Sequence, residues 1–181
     1  MLNVGIYGAT GYTGALLVRL ITNHPDARVR FGTSESSAGK LLSEIFPCPY
    51  DLRLVAADDA ALDDVDVAFL CLPHAESMDM VRRVRDAGVK AIDLSADFRL
   101  RDASVYETWY KVKHTATDLL AQAVYGLPEL YRNEIANAAL VANPGCFPTS
   151  VILGLRPLAA NDLLIDKTPI NHDNNDIGGA Y

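Results

Sequence analysis

A cysteine at the start of a predicted helix is the residue of this sequence best placed for covalent chemistry. Cys146 lies in the segment 143–150, Asn-Pro-Gly-Cys-Phe-Pro-Thr-Ser, directly after the apolar residues 140–142, which predict the end of a buried strand. The proline and glycine before it predict a turn, and the proline two residues later suits a first helical turn. Unpaired N–H groups at that terminus would favour a thiolate and hold an oxyanion on a bound acyl group. A cysteine in apolar surroundings is also often a small buried residue, so this motif alone leaves both interpretations open.

The other two cysteines are predicted to be structural. Cys71 falls inside the apolar run 67–72, and Cys48 stands between two prolines in a predicted loop. The spacing of the three cysteines is that of neither a disulfide framework nor a metal-binding pair. We therefore expect a reducing compartment and no metal site.

A glycine-rich loop predicts a second site, for a nucleotide. It follows the first predicted strand and opens the first predicted helix, where the pyrophosphate of a dinucleotide approaches helix N–H groups. The spacing is Gly-x-x-Gly-x-x-Gly rather than Gly-x-Gly-x-x-Gly, so a simple tight turn is the alternative. The predicted contacts of the cofactor in this loop are Gly8, Thr10, Gly11, Tyr12, Thr13 and Gly14.

The segment after the second predicted strand bears on the choice between NAD and NADP. An acidic residue there typically binds the ribose 2′-hydroxyl of NAD, whereas the extra phosphate of NADP requires polar or basic groups. Residues 33–40 read Thr-Ser-Glu-Ser-Ser-Ala-Gly-Lys. Glu35 favours NAD, while the three serines and Lys40 could bind a 2′-phosphate. The local chemistry leaves both cofactors open.

The elements that must position these residues alternate between strands and helices. Apolar runs predict strands over 2–7, 27–32, 52–55, 65–72 and 91–94, and helical periodicity predicts helices over 12–23 and 76–87. Such repeated units predict a parallel sheet covered by helices on both faces. The region 99–137 is less regular, and its aromatic residues either line a cleft or pack beneath a long surface excursion.

Composition narrows the classes of partner. The 181 residues are half hydrophobic, enough for one substantial domain and part of a second. A formal net charge of −7 disfavours general binding to nucleic acid or to an anionic membrane. With no pattern of a signal peptide or a membrane span, we expect a cytoplasmic protein that acts on small molecules.

Five motifs in a fixed order resemble one family, the N-acetyl-gamma-glutamyl-phosphate reductases, which are related to aspartate-semialdehyde dehydrogenases. The resemblance covers about residues 1–165. The motifs are the glycine loop 8–14, Leu-Pro-His at 72–74, Asp-Leu-Ser-Ala-Asp-Phe-Arg-Leu at 93–100, Tyr-Gly-Leu-Pro-Glu at 125–129, and the cysteine segment 143–150.

This resemblance implies a Rossmann-like, doubly wound domain over 1–150 that binds NADP and reduces an acyl phosphate to an aldehyde. It implies that Cys146 is the nucleophile and that Arg99 and Ser95 lie near the substrate, although an ion pair of Arg99 with Asp97 or Asp102 is the alternative. The implied cofactor contacts outside the glycine loop are Ser34, Ser36, Ser37, Pro73, His74 and Pro144.

The resemblance also implies that part of the enzyme is missing. Members of the family carry a second domain that supplies a catalytic histidine and most of a homo-oligomeric interface. Residues 151–181 would be a helix and a truncated or aberrant start of that domain, because the tail from about Lys167 departs from the family pattern. None of the four histidines, at 24, 74, 114 and 172, matches the catalytic position.

We therefore expect a chain that binds NADP with little or no turnover alone. The alternatives are a non-catalytic nucleotide-binding or regulatory module, and a reductase of aspartyl or aminoadipyl phosphate.

Overall fold

The fold alternates strands and helices along most of the chain. The structure is a computed structural model that describes residues 1–163. The strands are β1 (Leu2–Tyr7), β2 (Ala27–Thr33), β3 (Leu54–Val55), β4 (Val67–Leu70), β5 (Lys90–Asp93), β6 (Ala123–Tyr125) and β7 (Leu140–Ala142). The helices are α1 (Tyr12–Thr22), α2 (Ser77–Asp86), α3 (Ala103–Tyr110), α4 (Thr117–Leu120), α5 (Pro128–Asn137) and α6 (Cys146–Ala160).

The seven strands form one sheet in the order β3-β2-β1-β4-β5-β7-β6. Every neighbouring pair is parallel, so the carboxyl ends of all the strands lie at the same edge. The predicted parallel sheet is thus confirmed.

Helices cover both faces of the sheet because alternate strand residues point in opposite directions. Val4 and Ile6 of β1 pack in an apolar cluster that includes Val18 of α1. Tyr7 of the same strand packs in a second cluster, together with Val81 and Val84 of α2. The predicted arrangement with helices on both faces is therefore correct.

The region 99–137 is more regular than the sequence analysis predicted. It contains α3, α4, β6 and α5, each too short or too weakly periodic to stand out in the sequence. The start of α3 is fixed by Asp102, whose side chain accepts a hydrogen bond from the Ser104 N–H at 2.8 Å. Strand β6 has only three residues, and its position at the sheet edge depends on pairing with β7, which lies 15 or more residues further along the chain.

The predicted aberrant tail from about residue 167 and His172 lie outside the described residues. The proposed domain boundary at residue 150 falls inside α6 and stays a prediction. Within residues 1–163, no helix is long and apolar enough to cross a membrane.

Candidate active site

Both chemical motifs lie at the carboxyl edge of the sheet: the glycine loop follows β1, where the strand order reverses, and the cysteine segment follows β7. Strand β1 is flanked by β2 on one side and β4 on the other. The chain leaves β1 toward α1 on one face and leaves β4 toward α2 on the opposite face. Loops that diverge in this way open a crevice, the usual ligand site of such sheets.

The glycine loop brings α1 unusually close to β1. Gly8 has φ +76°, and a Cβ built there would lie 2.4 Å from the carbonyl oxygen of Cys71. A Cβ on Gly14 would lie 2.1 Å from the carbonyl oxygen of Gly8. Both contacts are with backbone atoms, so neither position tolerates a side chain without moving the helix or the loop.

The first turn of α1 presents free N–H donors to the crevice. Gly11 is the N-cap and supplies no side chain to cap the helix. Within the described part of the chain, the N–H groups of Tyr12, Thr13 and Gly14 have no hydrogen-bond partner. Tyr12 is 80% exposed. Free donors and the positive end of the helix dipole fit the pyrophosphate of a dinucleotide.

Two predicted cofactor residues tie the loops of the crevice together. The Thr10 and Ser34 hydroxyl oxygens lie 3.0 Å apart in a hydrogen bond. Ser34 is buried, 6% exposed. The bond fixes the glycine loop against the end of β2, so both hydroxyls are engaged with each other within the protein.

In the turn after β2, the serines are accessible but the acidic residue is hydrogen-bonded within the protein. Ser36 is exposed and Ser37 is half-buried. The Glu35 carboxylate accepts a hydrogen bond from the Ala57 N–H at 2.8 Å, just beyond β3. Glu35 is thus bound to its own protein at the position where an acidic residue would bind a ribose hydroxyl.

A cation lies beside the same turn. Segment 39–42 runs antiparallel to 52–54, which places the Arg53 guanidinium on the Gly39 carbonyl at 2.5 Å. Lys40 is exposed at the end of the turn. Sequence reasoning missed Arg53, because only the pairing of these two segments brings it there.

Pro73 and His74 lie after β4, across the crevice from the glycine loop. Both are exposed. The His74 ring centroid lies 5.7 Å from that of Tyr110 in α3. Pro144, the third residue predicted at the nicotinamide side, is half-buried in the loop after β7, and the Asn143 N–H bonds the Asp93 carbonyl at 2.8 Å.

Cys146 is the first residue of α6, as the sequence analysis predicted. Its side chain is exposed, which excludes the alternative of a buried apolar residue in this chain. Gly145 is the N-cap, and the Thr149 N–H bonds its carbonyl at 3.0 Å. Within residues 1–163, the Cys146 N–H has no hydrogen-bond partner and is available to an oxyanion.

Cys48 and Cys71 are partly buried against the apolar cluster beneath α1, in agreement with the structural roles predicted for them. Burial, with a smaller contribution from the nearby Asp93 carboxylate, raises the pKa of the Cys71 thiol to about 12. Of the three thiols, only that of Cys146 is exposed.

Arg99 braces the cysteine loop. Its Nε donates to the Asn143 carbonyl and its Nη2 to the Leu94 carbonyl, both at 2.8 Å. Its Nη1 lies so near that a Cβ on Gly145 would be 3.1 Å away. Within residues 1–163 Arg99 forms no ion pair, so the alternative pairing with Asp97 or Asp102 is not what the structure contains.

Ser95 lies in the interior, 5% exposed. Its hydroxyl donates to the Asp93 carboxylate at 2.7 Å and accepts from the Asp97 N–H at 3.0 Å. The hydroxyl therefore both donates and accepts within the protein, and its contact with a substrate stays a prediction.

The aromatic residues of the region 99–137 divide between the two predicted roles. Tyr106 is fully buried, whereas Tyr125 and Tyr131 line a cavity of about 580 Å³ beside β6. Burial raises the pKa of Tyr125, and the positive charge of Arg99 acts in the opposite direction. The cavity lies beside the edge strand β6, which is separated from β1 and its glycine loop by β7, β5 and β4.

These features define an α/β protein that binds a dinucleotide where a parallel sheet reverses its strand order and that carries an exposed cysteine at the same edge. The family described as semialdehyde dehydrogenase, NAD binding domain, matches residues 3–138, and the chain belongs to this family. Its cofactor is accordingly a nicotinamide dinucleotide.

The chain is similar to full-length relatives over about half of their length. It is 46% identical over 183 residues to the N-acetyl-gamma-glutamyl-phosphate reductase of Ruthia magnifica subsp. Calyptogena magnifica, covering 99% of this chain and 54% of that protein. The expected resemblance to part of such a reductase is thus confirmed.

Solved structures share the fold. Aspartate semialdehyde dehydrogenase II from Vibrio cholerae has a TM-score of 0.67 at 23% identity, covering 88% of this chain and 47% of that one. The aspartate semialdehyde dehydrogenase with NADP from Candida albicans has a TM-score of 0.66 at 16% identity, covering 92% and 49%.

Proposed function

We propose that the chain is the cofactor-binding part of an NADPH-dependent reductase that converts N-acetyl-gamma-glutamyl phosphate to N-acetylglutamate semialdehyde in arginine biosynthesis. The name of the relative similar over 99% of the chain supports this substrate. The observation that carries the reaction type is the exposed Cys146 at the first turn of α6, braced by Arg99 through the Asn143 carbonyl. We further propose a cytoplasmic location, a small-molecule substrate, and a homo-oligomer for the whole protein.

NADP is the form of the cofactor that we propose, because the residues after β2 fit a 2′-phosphate. The bond between Glu35 and the Ala57 N–H occupies one oxygen of the acidic group that would otherwise favour NAD. Ser36 and Ser37 offer hydroxyls, and Lys40 and Arg53 offer positive charge at the same turn. Ser34 contributes by holding the turn against Thr10.

The glycine loop and the N–H groups of α1 would hold the pyrophosphate, and Pro73, His74 and Pro144 would border the nicotinamide. When bound, the reduced nicotinamide supplies a hydride to the carbonyl carbon of the substrate. Pro73 and His74 follow β4, and Pro144 follows β7. These two strands are parallel and separated only by β5, so the residues that follow them lie at the same carboxyl edge of the sheet as Cys146.

Cys146 would act as the nucleophile. Its sulfur forms a bond to the acyl carbon, the bond from that carbon to the phosphate oxygen breaks, and inorganic phosphate leaves to give a thioester. The Cys146 N–H and the dipole of α6 stabilise the oxyanion that precedes phosphate departure. Arg99 would attract the anionic substrate through Nη1 while its other nitrogens hold the loop. When the thioester has been reduced, the bond from its carbon to the Cys146 sulfur would break, and the sulfur would take up one proton to restore the free thiol.

The test separates acylation from turnover. The chain is incubated with N-acetyl-gamma-glutamyl phosphate, and intact-mass and peptide-mass spectrometry measure an N-acetylglutamyl adduct on Cys146. Phosphate-dependent reduction of NADP with N-acetylglutamate semialdehyde is followed at 340 nm in parallel.

We expect the adduct in the unaltered chain and in the Cys48→Ser control, and its absence in Cys146→Ser. A chain that shows neither adduct nor turnover, or an adduct that persists in Cys146→Ser, would refute the proposed role of the cysteine.

A further inference from the structure

A buried carboxylate lies behind the nicotinamide side of the crevice and is not used in the chemistry described so far. Asp97 is fully buried, and none of the ion pairs within residues 1–163 includes it. Its Oδ1 accepts hydrogen bonds from the Ala75 N–H and the Tyr106 hydroxyl, both at 2.8 Å. Its Oδ2 accepts from the Ser77 N–H at 3.3 Å. Neutral donors alone therefore satisfy this charge.

Two of these donors belong to the turn that carries Pro73 and His74. Ser77 is the first residue of α2, whose N-cap, Glu76, makes no side-chain capping bond. Asp97 supplies the missing cap from 20 residues away, where the helix dipole favours a negative charge. Ala75 has φ +70°, in the left-handed region that a residue with a Cβ rarely adopts. The bond from its N–H to Asp97 helps to hold the turn in this shape.

The third donor connects Asp97 to the His74 side chain. Tyr106 stacks on Tyr110 with ring centroids 4.8 Å apart, and Tyr110 lies against the His74 ring. Burial and the Asp97 carboxylate raise the pKa of Tyr106, so its hydroxyl stays a donor at neutral pH. The Asp97 carboxylate thus holds the backbone of the turn and also positions the tyrosine pair that packs against the His74 ring.

The same segment reaches the cysteine loop. The Asp97 N–H bonds Ser95, and Arg99, two residues further on, holds the Asn143 carbonyl. Residues 93–99 therefore connect the two borders of the nicotinamide site, the 73–77 turn and the loop before Cys146.

We propose that Asp97 is a positioning residue that sets the 73–77 turn against the nicotinamide ring. The inference rests on the proposed function, because it requires a nicotinamide at this turn. It concerns only the nicotinamide end of the cofactor, and the adenosine end is bound by other loops. This separation gives a readout that a general loss of stability would not produce.

The experiment compares two ligands in Asp97→Asn. NADPH carries the nicotinamide, whereas 2′-phospho-ADP-ribose has the same adenosine, 2′-phosphate and pyrophosphate without it. Energy transfer from Trp109, the only tryptophan of the chain, reports NADPH binding, and calorimetry reports both ligands. Asp118→Asn is the matched control, because that carboxylate is exposed and paired with Arg82 on α2.

The asparagine side chain has one oxygen acceptor in place of two and carries no charge. The Ser77 N–H would therefore face either an NH2 group or a neutral oxygen. We expect Asp97→Asn to weaken NADPH binding about tenfold or more and 2′-phospho-ADP-ribose binding less than about twofold, since it removes charge-assisted hydrogen bonds that hold only the nicotinamide end of the site. Asp118→Asn should leave both affinities unchanged. Equal weakening of both ligands, or no change in either, would overturn the proposal.

Tyr106→Phe decides the question if Asp97→Asn does not fold, because it removes one donor and keeps the stacked ring. It should weaken NADPH selectively by a few-fold, and an unselective effect or none would count against Asp97. The unaltered chain is titrated first, so failure to bind NADPH there would refute the proposed function rather than this role of Asp97.

Discussion

The three cysteines should differ in alkylation rate in the folded chain. The thiolate is the reactive species, and the Cys71 thiol has a pKa of about 12 because of burial and the Asp93 carboxylate. At pH 7.5 its thiolate fraction is about 3 × 10⁻⁵, whereas an ordinary exposed thiol with a pKa of ~8.5 is about 10% ionised. Cys71 should thus react about 3,000-fold more slowly than an ordinary exposed thiol, before steric protection is counted.

Iodoacetamide labelling with peptide mass spectrometry measures these rates site by site. Cys146 should be labelled first, and the Cys71 rate should rise tenfold per pH unit from 7 to 10 without a plateau, because its thiolate fraction rises in that proportion below the pKa. In urea all three cysteines should react alike, which controls for sequence effects. A folded-state rate for Cys71 within tenfold of that for Cys146 at pH 7.5 would contradict the burial and the raised pKa of the Cys71 thiol.

Two further predictions concern packing. Gly14→Ala should weaken NADPH binding at least tenfold and destabilise the fold by about 1–3 kcal/mol, since the new Cβ would meet the Gly8 carbonyl. Gly154→Ala is the matched control: its new Cβ has nothing within 4 Å, so it should stabilise α6 by about 0.5–1 kcal/mol. Urea unfolding measures the stability of both variants. An equal change in the free energy of unfolding for Gly14→Ala and Gly154→Ala would contradict the predicted contact with the Gly8 carbonyl. Tyr7→Phe should preserve or raise the melting temperature, by about 2–4 °C per kcal/mol gained, because the buried hydroxyl has no hydrogen-bond partner among residues 1–163. A fall of more than about 4 °C would show that the hydroxyl is satisfied.

Local patterns predicted the parts of the fold whose signals lie within one element. The run Leu2–Tyr7, the glycine loop and the amphipathic α1 follow one another directly, and the Cys146 turn is equally local. Strand β6 was missed, because three residues carry no period and its place at the sheet edge comes from β7.

The site residues that sequence reasoning missed act across long separations. The sequence left the choice between NAD and NADP open at Glu35, and the bond of its carboxylate to the Ala57 N–H, 22 residues away, could not be predicted from the turn itself. Arg53 comes to the same turn only through the pairing of two segments. Asp97 belongs to a motif that drew attention to Arg99 and Ser95, but its three donors lie outside that motif. Contacts between residues so far apart in the sequence cannot be predicted from the spacing of a motif.

We propose that the crevice at the sheet edge binds NADPH with the 2′-phosphate on the turn after β2. A titration of the chain with NADPH and with NADH under the same conditions, with energy transfer from Trp109 as the signal, tests this binding directly. We expect saturable binding of NADPH that is at least tenfold tighter than that of NADH, and we expect this difference to be smaller in Arg53→Ala. Binding of neither nucleotide, or tighter binding of NADH, would contradict this proposal.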